Sequence, residues 1–127
     1  MIKLDLQSKT PLYLQMEQQI IDLILLGCLK ENDQLPSVRN LARELGINPN
    51  TIQKAYQDME NRGLIYSVVG RGNFVASPSA AENLKRQECM AELEKLLLAA
   101  RRAGISAQEL HMAVDAAFET GKEDDLQ

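Results

Sequence analysis

Tryptophan is absent from this chain of 127 residues, and aromatic residues make up only 4% of it. A core must therefore be aliphatic, and Leu, Ile, Met and Ala at helical spacing predict a mainly α protein. Histidine occurs once, at His111, which excludes a His-rich metal site, and no metal or cofactor is expected. Cysteine occurs twice. Cys28 sits in an apolar helical run and Cys89 in a helix rich in Leu and Glu, so buried, reduced thiols are expected rather than a disulfide. No apolar run reaches the length of a membrane span. The start, Met-Ile-Lys-Leu-Asp-Leu-Gln, lacks the basic and apolar blocks of a signal peptide. A cytoplasmic location with no membrane partner follows as the expectation. Gly70-Arg71-Gly72 is too short for a phosphate loop, and no catalytic set is recognisable, so an enzyme is not expected.

What is present suffices for a fold, since 45% of residues are hydrophobic. The net charge of −4 is unevenly spread. Residues 1–77 carry eight basic and eight acidic side chains, whereas 78–127 carry six and ten. Within 36–77, five basic residues (Arg39, Arg43, Lys54, Arg62, Arg71) face three acidic ones (Glu44, Asp58, Glu60), a net of +2. That distribution permits nucleic-acid binding by the front part without demanding it.

A first helix is predicted from Thr10-Pro11, with Thr10 as cap and Leu14, Met16, Ile20, Ile21, Ile24 and Leu25 as its apolar face, ending at Gly27. Lys30 to Gln34 reads as a polar loop. Ser37 caps a second helix whose inner side is Val38, Leu41, Ala42 and Leu45, stopped by Gly46. Asn48 caps a third, with Pro49 at its first position and Ile52, Ala55, Tyr56 and Met59 inward, ending at Gly63. The period then changes: 64–69, a turn at Gly70-Arg71-Gly72 and 73–75 read as a β-hairpin. Ser77 to Ala81 reads as a linker of small residues. Two more helices follow. The first runs from about Ala81 to Arg102 with the stripe Met90, Leu93, Leu97 and Ala100. The second opens with a Ser106/Glu109 capping box and carries Leu110, Ala113, Val114, Ala117 and Phe118. From Gly121 the acidic end is expected to fray. The domain expectation is 1–77 for one unit and 78–127 for the other.

The segment from Val38 to Gln57 has the marks of a helix-turn-helix. Ala42 is small where the helices cross, Gly46 accepts the turn's positive φ, and Leu41, Leu45, Ile47 and Ile52 anchor both sides. The plain alternative is an ordinary helical hairpin. In a helix-turn-helix, Asn50, Thr51, Gln53 and Lys54 remain outside at the end of the second helix that approaches bases and phosphates. Asn or Gln can read adenine bidentately, Lys54 can reach a base or a phosphate, and Thr51 suits a phosphate. Arg39 falls on the helix that crosses the backbone, its alternative being a salt bridge to Glu44 or Asp58. Arg71, between two glycines, suits a phosphate or a minor groove.

These motifs, Leu35-Pro36-Ser37-Val38-Arg39-x-Leu41-Ala42, Gly46 to Tyr56, Glu60 to Ile65 and Gly70 to Val75, preceded by Thr10 to Gln15, resemble the GntR family over residues 8–77. The resemblance implies a winged helix-turn-helix with a small hairpin wing, binding a palindromic double-stranded DNA operator as a homodimer, as a repressor by analogy. It places a phosphate-binding arginine at Arg39, recognition contacts at Asn48 to Gln53 and a wing contact at Gly70 to Gly72. The candidate DNA-contacting set is thus Ser37, Arg39, Asn48, Pro49, Asn50, Thr51, Gln53, Lys54, Gly70, Arg71 and Gly72. Many relatives carry arginines where this chain has Pro49 and Gln53; the Asn-Pro-Asn-Thr form is similar to the YtrA subfamily, which also has a short two-helix tail. That tail is too short for the effector-binding or aminotransferase-like modules of other subfamilies, so no small-molecule effector is assigned. It is expected to be a two-helix hairpin for dimerisation through Met90, Leu93, Leu97, Ala100, Leu110, Val114 and Phe118, the alternative being a ligand pocket, because two isolated helices cannot bury two apolar stripes alone.

Overall fold

The computed structural model describes the backbone of residues 2–125 and the side chains of 2–120. Its elements are α1 (Leu12–Leu25), α2 (Val38–Leu45), α3 (Pro49–Asn61), β1 (Ile65–Val68), β2 (Gly72–Val75), α4 (Pro78–Arg102) and α5 (Ala107–Asp125). They form two compact units, Met1–Lys85 and Arg86–Gln127.

In the first unit, α1 packs on α3, α2 crosses α3, and the hairpin packs behind α3. Met16, Ile20, Ile21 and Ile24 of α1 share the core with Ile52, Ala55, Tyr56 and Met59 of α3 and with Leu41, Ala42, Leu64, Ile65 and Val75. The helix starts and stops follow local chemistry. Ser37 Oγ accepts from Asn40 N at 3.1 Å, and Asn48 Oδ1 accepts from Asn50 N at 2.9 Å. Gly46, at φ +68°, allows Ile47 N to reach Ala42 O at 3.1 Å, which closes α2 and turns the chain into α3.

Several expectations are corrected. Thr10 does not cap α1: Pro11 holds the cap position with no side-chain bond, and Gln15 Nε2 donates to Thr10 O at 2.8 Å. Leu14 and Leu25 lie at the exposed margin of α1, and Glu17 takes a core position instead. Both cysteines are free and exposed, not buried, because Cys28 falls beyond the end of α1 and Cys89 on an outward stretch of α4.

The stretch Ser77 to Ala81 is no linker. Pro78 opens α4, and Ala81 is 1% exposed in the core of the first unit. Small side chains here permit close packing of a helix, with φ of Pro78 preset for the first turn. The first compact unit runs to Lys85, within α4.

The polar loop after α1 is also more ordered than its composition suggests. Asn32 N donates to Val75 O at 2.7 Å, Val75 N to Asp33 O at 2.8 Å and Leu35 N to Asn73 O at 2.9 Å. This segment thereby borders β2, which pairs antiparallel with β1 from Ile65↔Val75 to Val68↔Gly72.

In the second unit, Ile105 N reaches Ala100 O at 3.0 Å to end α4. The capping box then opens α5: Glu109 N donates to Ser106 Oγ at 3.1 Å and Ser106 N to Glu109 Oε2 at 2.8 Å. The α5 backbone runs through Gly121 to Asp125, while the last two residues of the expected frayed end lie outside the described residues. No described helix is long and apolar enough to cross a membrane.

Candidate nucleic-acid interface

The faces of α3 separate cleanly. Ile52, Ala55, Tyr56 and Met59 are each 2% exposed or less, while Asn50, Gln53, Lys54 and Gln57 face outward. Asn48 and Pro49 are exposed at the helix start, and Thr51 is half-buried. Pro49 lacks an N–H at a position where that donor would have no intrahelical partner, so it costs the helix nothing. Tyr56 is pinned from beneath, its hydroxyl donating to Pro36 O at 2.6 Å. Burial raises its pKa well above the usual phenol range, so it stays a neutral donor. That bond ties the middle of α3 to the segment that leads into α2.

Arg39 is exposed in the first turn of α2 and forms no ion pair with Glu44 or Asp58 among the described residues. Ser37 is exposed beside it, its hydroxyl oxygen occupied as the α2 cap. The Lys54 ammonium is more constrained than the sequence implied: Nζ lies 4.2 Å from the ring centroid of Tyr13. Those two residues, with Pro11, Leu12, Asn50 and Thr51, line an open cleft between the starts of α1 and α3.

The hairpin tip presents Gly70, Arg71 and Gly72, all exposed, together with Val69, which was expected in the first strand but lies beyond its end at Val68. Arg71 N donates to Val68 O at 2.9 Å across the turn. Gln34 Nε2 donates to Arg71 O at 2.8 Å, so the loop after α1 braces the tip. Tyr66 and Phe74 stack at 5.6 Å across the hairpin, and the Tyr66 hydroxyl donates to Asn32 Oδ1 at 2.7 Å.

Arg62 stands apart from the exposed basic residues. Its Nη1 lies 3.1 Å from Glu17 Oε1 and 3.7 Å from Asp58 Oδ2, so it ties the end of α3 to α1. The charge it contributes to the front unit is spent internally, leaving Arg39, Arg43, Lys54 and Arg71 as the exposed cations of 36–77. Glu17 Oε2 is buried without a hydrogen-bond donor. Burial foremost, then the neighbouring Asp58 carboxylate, raise Glu17 to a pKa of about 7, against the opposing pull of Arg62. Spacing with Tyr13, Ile20, Ile21 and Ile24 carried the signal that Glu17 faces inward. No signal in the sequence marked Gln34 or the direction of Lys54.

The residues proposed for the tail are placed on α4 and α5. Met90, Leu93, Leu97, Val114 and Phe118 are exposed in the single chain, Phe118 at 71%, while Ala100 and Leu110 are half-buried. No group of three or more potential metal ligands occurs among the described residues.

Two helices crossing at a glycine turn, with a polar outer face on the second and a braced two-strand wing, define a winged helix-turn-helix regulator. Residues 12–75 match the family described as bacterial regulatory proteins, gntR family. The chain belongs to that family and is a transcription regulator, not an enzyme. It is 36% identical over 130 residues to the HTH-type transcriptional repressor YtrA of Bacillus subtilis, covering 98% of this chain and 100% of that one. Its structure is similar to a transcriptional regulator from Oenococcus oeni, with a TM-score of 0.79, 28% identity and coverage of 93% and 99% of the two chains. The DNA-binding domain of AraR, solved in complex with operator ORX1, matches 59% of this chain and 96% of its own at a TM-score of 0.54 and 31% identity.

Proposed function

We propose that the chain represses transcription in the cytoplasm, binding a palindromic operator as a homodimer through α3 and the wing, with 78–127 as the dimerisation tail. The observation that carries this reading is the division of α3 into a fully buried apolar face and an outer face of Asn50, Gln53 and Lys54. Asn50 and Gln53 have free amide groups able to bond a base edge in the major groove. Asn48 is occupied by its cap through Oδ1, which leaves its Nδ2 as a donor to the backbone. Thr51 and Ser37 supply hydroxyls near phosphates, and Pro49 and the glycines Gly70 and Gly72 permit close approach of the main chain. Arg39 and Arg71 act on phosphates, with Arg71 also able to enter a narrow minor groove. The word repressor in the names of similar proteins, and an operator-bound relative, support the direction of regulation.

The test begins with a duplex selected from a random pool by the intact chain. An inverted repeat is the expected product, with half-sites about one helical turn apart. Gln53→Ala should lose about 1–3 kcal/mol on that duplex and little on unrelated DNA. Arg39→Ala should weaken both, and in a dimer should lower the slope of log affinity against log salt by about two. Equal loss on both duplexes for Gln53→Ala would remove base reading from α3.

A further inference from the structure

Lys54 is a long, flexible side chain on the exposed face of α3, yet its ammonium has a fixed neighbour. It rests over the ring of Tyr13, 4.2 Å from the centroid. Tyr13 is itself half-buried in the first turn of α1, packed against the core. An aromatic face attracts an ammonium and leaves its N–H groups on the far side free. A lysine stem that is already ordered loses less rotamer freedom when it meets a partner.

We infer that Tyr13 is a positioning residue for DNA binding, its ring presetting the Lys54 ammonium at the α1–α3 cleft as a clamp for one backbone phosphate. This rests on the reading of α3 as the recognition helix and assigns Lys54 to the backbone rather than to a base. The placement has a reason in geometry. The cleft is bordered by Pro11 and Leu12 at the start of α1 and by Asn50 and Thr51 at the start of α3. A cation fixed there sits at one side of the helix, where the flanking strand of a major groove passes, and it fixes how far α3 slides along the groove. Lys54 then contributes affinity and register, while Asn50 and Gln53 contribute selectivity.

The experiment is a double-mutant cycle on the duplex selected by the intact chain and on an unrelated duplex of equal length, read against salt. Lys54→Met should weaken binding to both and lower the salt slope by about two for a dimer. Tyr13→Leu should weaken binding about tenfold with the slope unchanged, since the ammonium still reaches its phosphate but from a disordered start. Tyr13→Phe should bind as the unchanged chain does. In Lys54→Met, adding Tyr13→Leu should cost nothing more.

Additive losses in that double variant would show that Tyr13 acts independently of Lys54 and would overturn the inference. So would an unchanged slope for Lys54→Met. If selectivity still depends on Gln53 in that case, the reading of α3 survives and only the Tyr13–Lys54 clamp falls. Should Tyr13→Leu fail to fold, NMR of the intact protein decides. The Lys54 ε-methylene protons should be shifted upfield by the ring, equally in Tyr13→Phe, and their appearance at ordinary lysine positions would overturn the clamp.

Discussion

Glu17 occupies a position on α1 where the helical period calls for an apolar side chain, at 1% exposure. Its carboxyl meets one guanidinium, from Arg62, and one neighbouring carboxylate, from Asp58. A buried carboxylate beside a second carboxylate, with one cation between them, cannot be charged cheaply, so a proton is retained to about pH 7, against an ordinary value of 4.5. Protonation of Glu17 removes the repulsion between its carboxylate and that of Asp58. A carboxyl whose pKa is raised on folding stabilises the fold fully below its unfolded value, and that contribution disappears as pH rises through the folded value. Stability should therefore decline between about pH 4.5 and about pH 7, by roughly 3 kcal/mol from this group. Glu17→Gln carries no such titration, so its urea-unfolding free energy should fall less across the same window. Parallel curves for the two proteins would show that Glu17 ionises in the fold as freely as in the unfolded chain.

At the scale of elements, the wing depends on a loop that precedes the recognition helix. Gly72 has φ +118°, and a Cβ there would stand 3.0 Å from Gln34 Nε2, the atom that holds Arg71 O. Gly70, at φ +78°, has open space around it. Gly72→Ala should thus combine backbone strain with loss of the brace, about 1–3 kcal/mol. Gly70→Ala should carry the backbone term alone, about 1–2 kcal/mol. Thermal unfolding of both variants and of Gln34→Ala distinguishes the two terms, and equal losses for the two alanines would mean that Gln34 imposes nothing on the tip. The same contrast shows what sequence could reveal. Ser37, Asn48, Gly46 and the Ser106/Glu109 box were legible because a cap or a positive φ is decided within a few residues. The buried set of α3 was legible from its period, and the outer face Asn50, Gln53 and Lys54 followed as its complement. Pairing of 32–35 with β2, the helical start at Pro78 and the inward turn of Arg62 depend on partners far along the chain, which local composition does not encode. Small residues after Ser77 read as a linker because flexibility and close packing favour the same side chains.

For the whole molecule, the proposed homodimer is what would let one winged helix read a two-fold site. The acidic excess of 78–127 keeps that segment from competing for a polyanion, while the front unit is neutral overall and exposes Arg39 and Arg43 on α2, Lys54 on α3 and Arg71 on the wing. The tail instead displays apolar residues: Leu93, Leu97, Val114 and Phe118 are between 39% and 71% exposed in the single chain. Exposed apolar stripes of this kind on α4 and α5 are the surface that the proposed homodimer would bury, each copy supplying an identical one about a two-fold axis. Each half-site contact alone is weak, and linking two of them through the tail raises affinity for a palindrome without adding any contact to DNA. Leu93→Glu combined with Leu97→Glu places two desolvated charges per subunit in that interface. With the tail as the proposed interface, sedimentation is expected to show a dimer for the unchanged chain and a monomer for this variant, with the amide NMR spectrum of residues 12–75 preserved. Affinity for the full inverted repeat should fall by two orders of magnitude or more, on the order expected from lost avidity. Affinity for an isolated half-site should stay the same. A double variant that remains dimeric would place the interface on other residues, and one that is monomeric yet binds the repeat undiminished would separate dimerisation from recognition altogether.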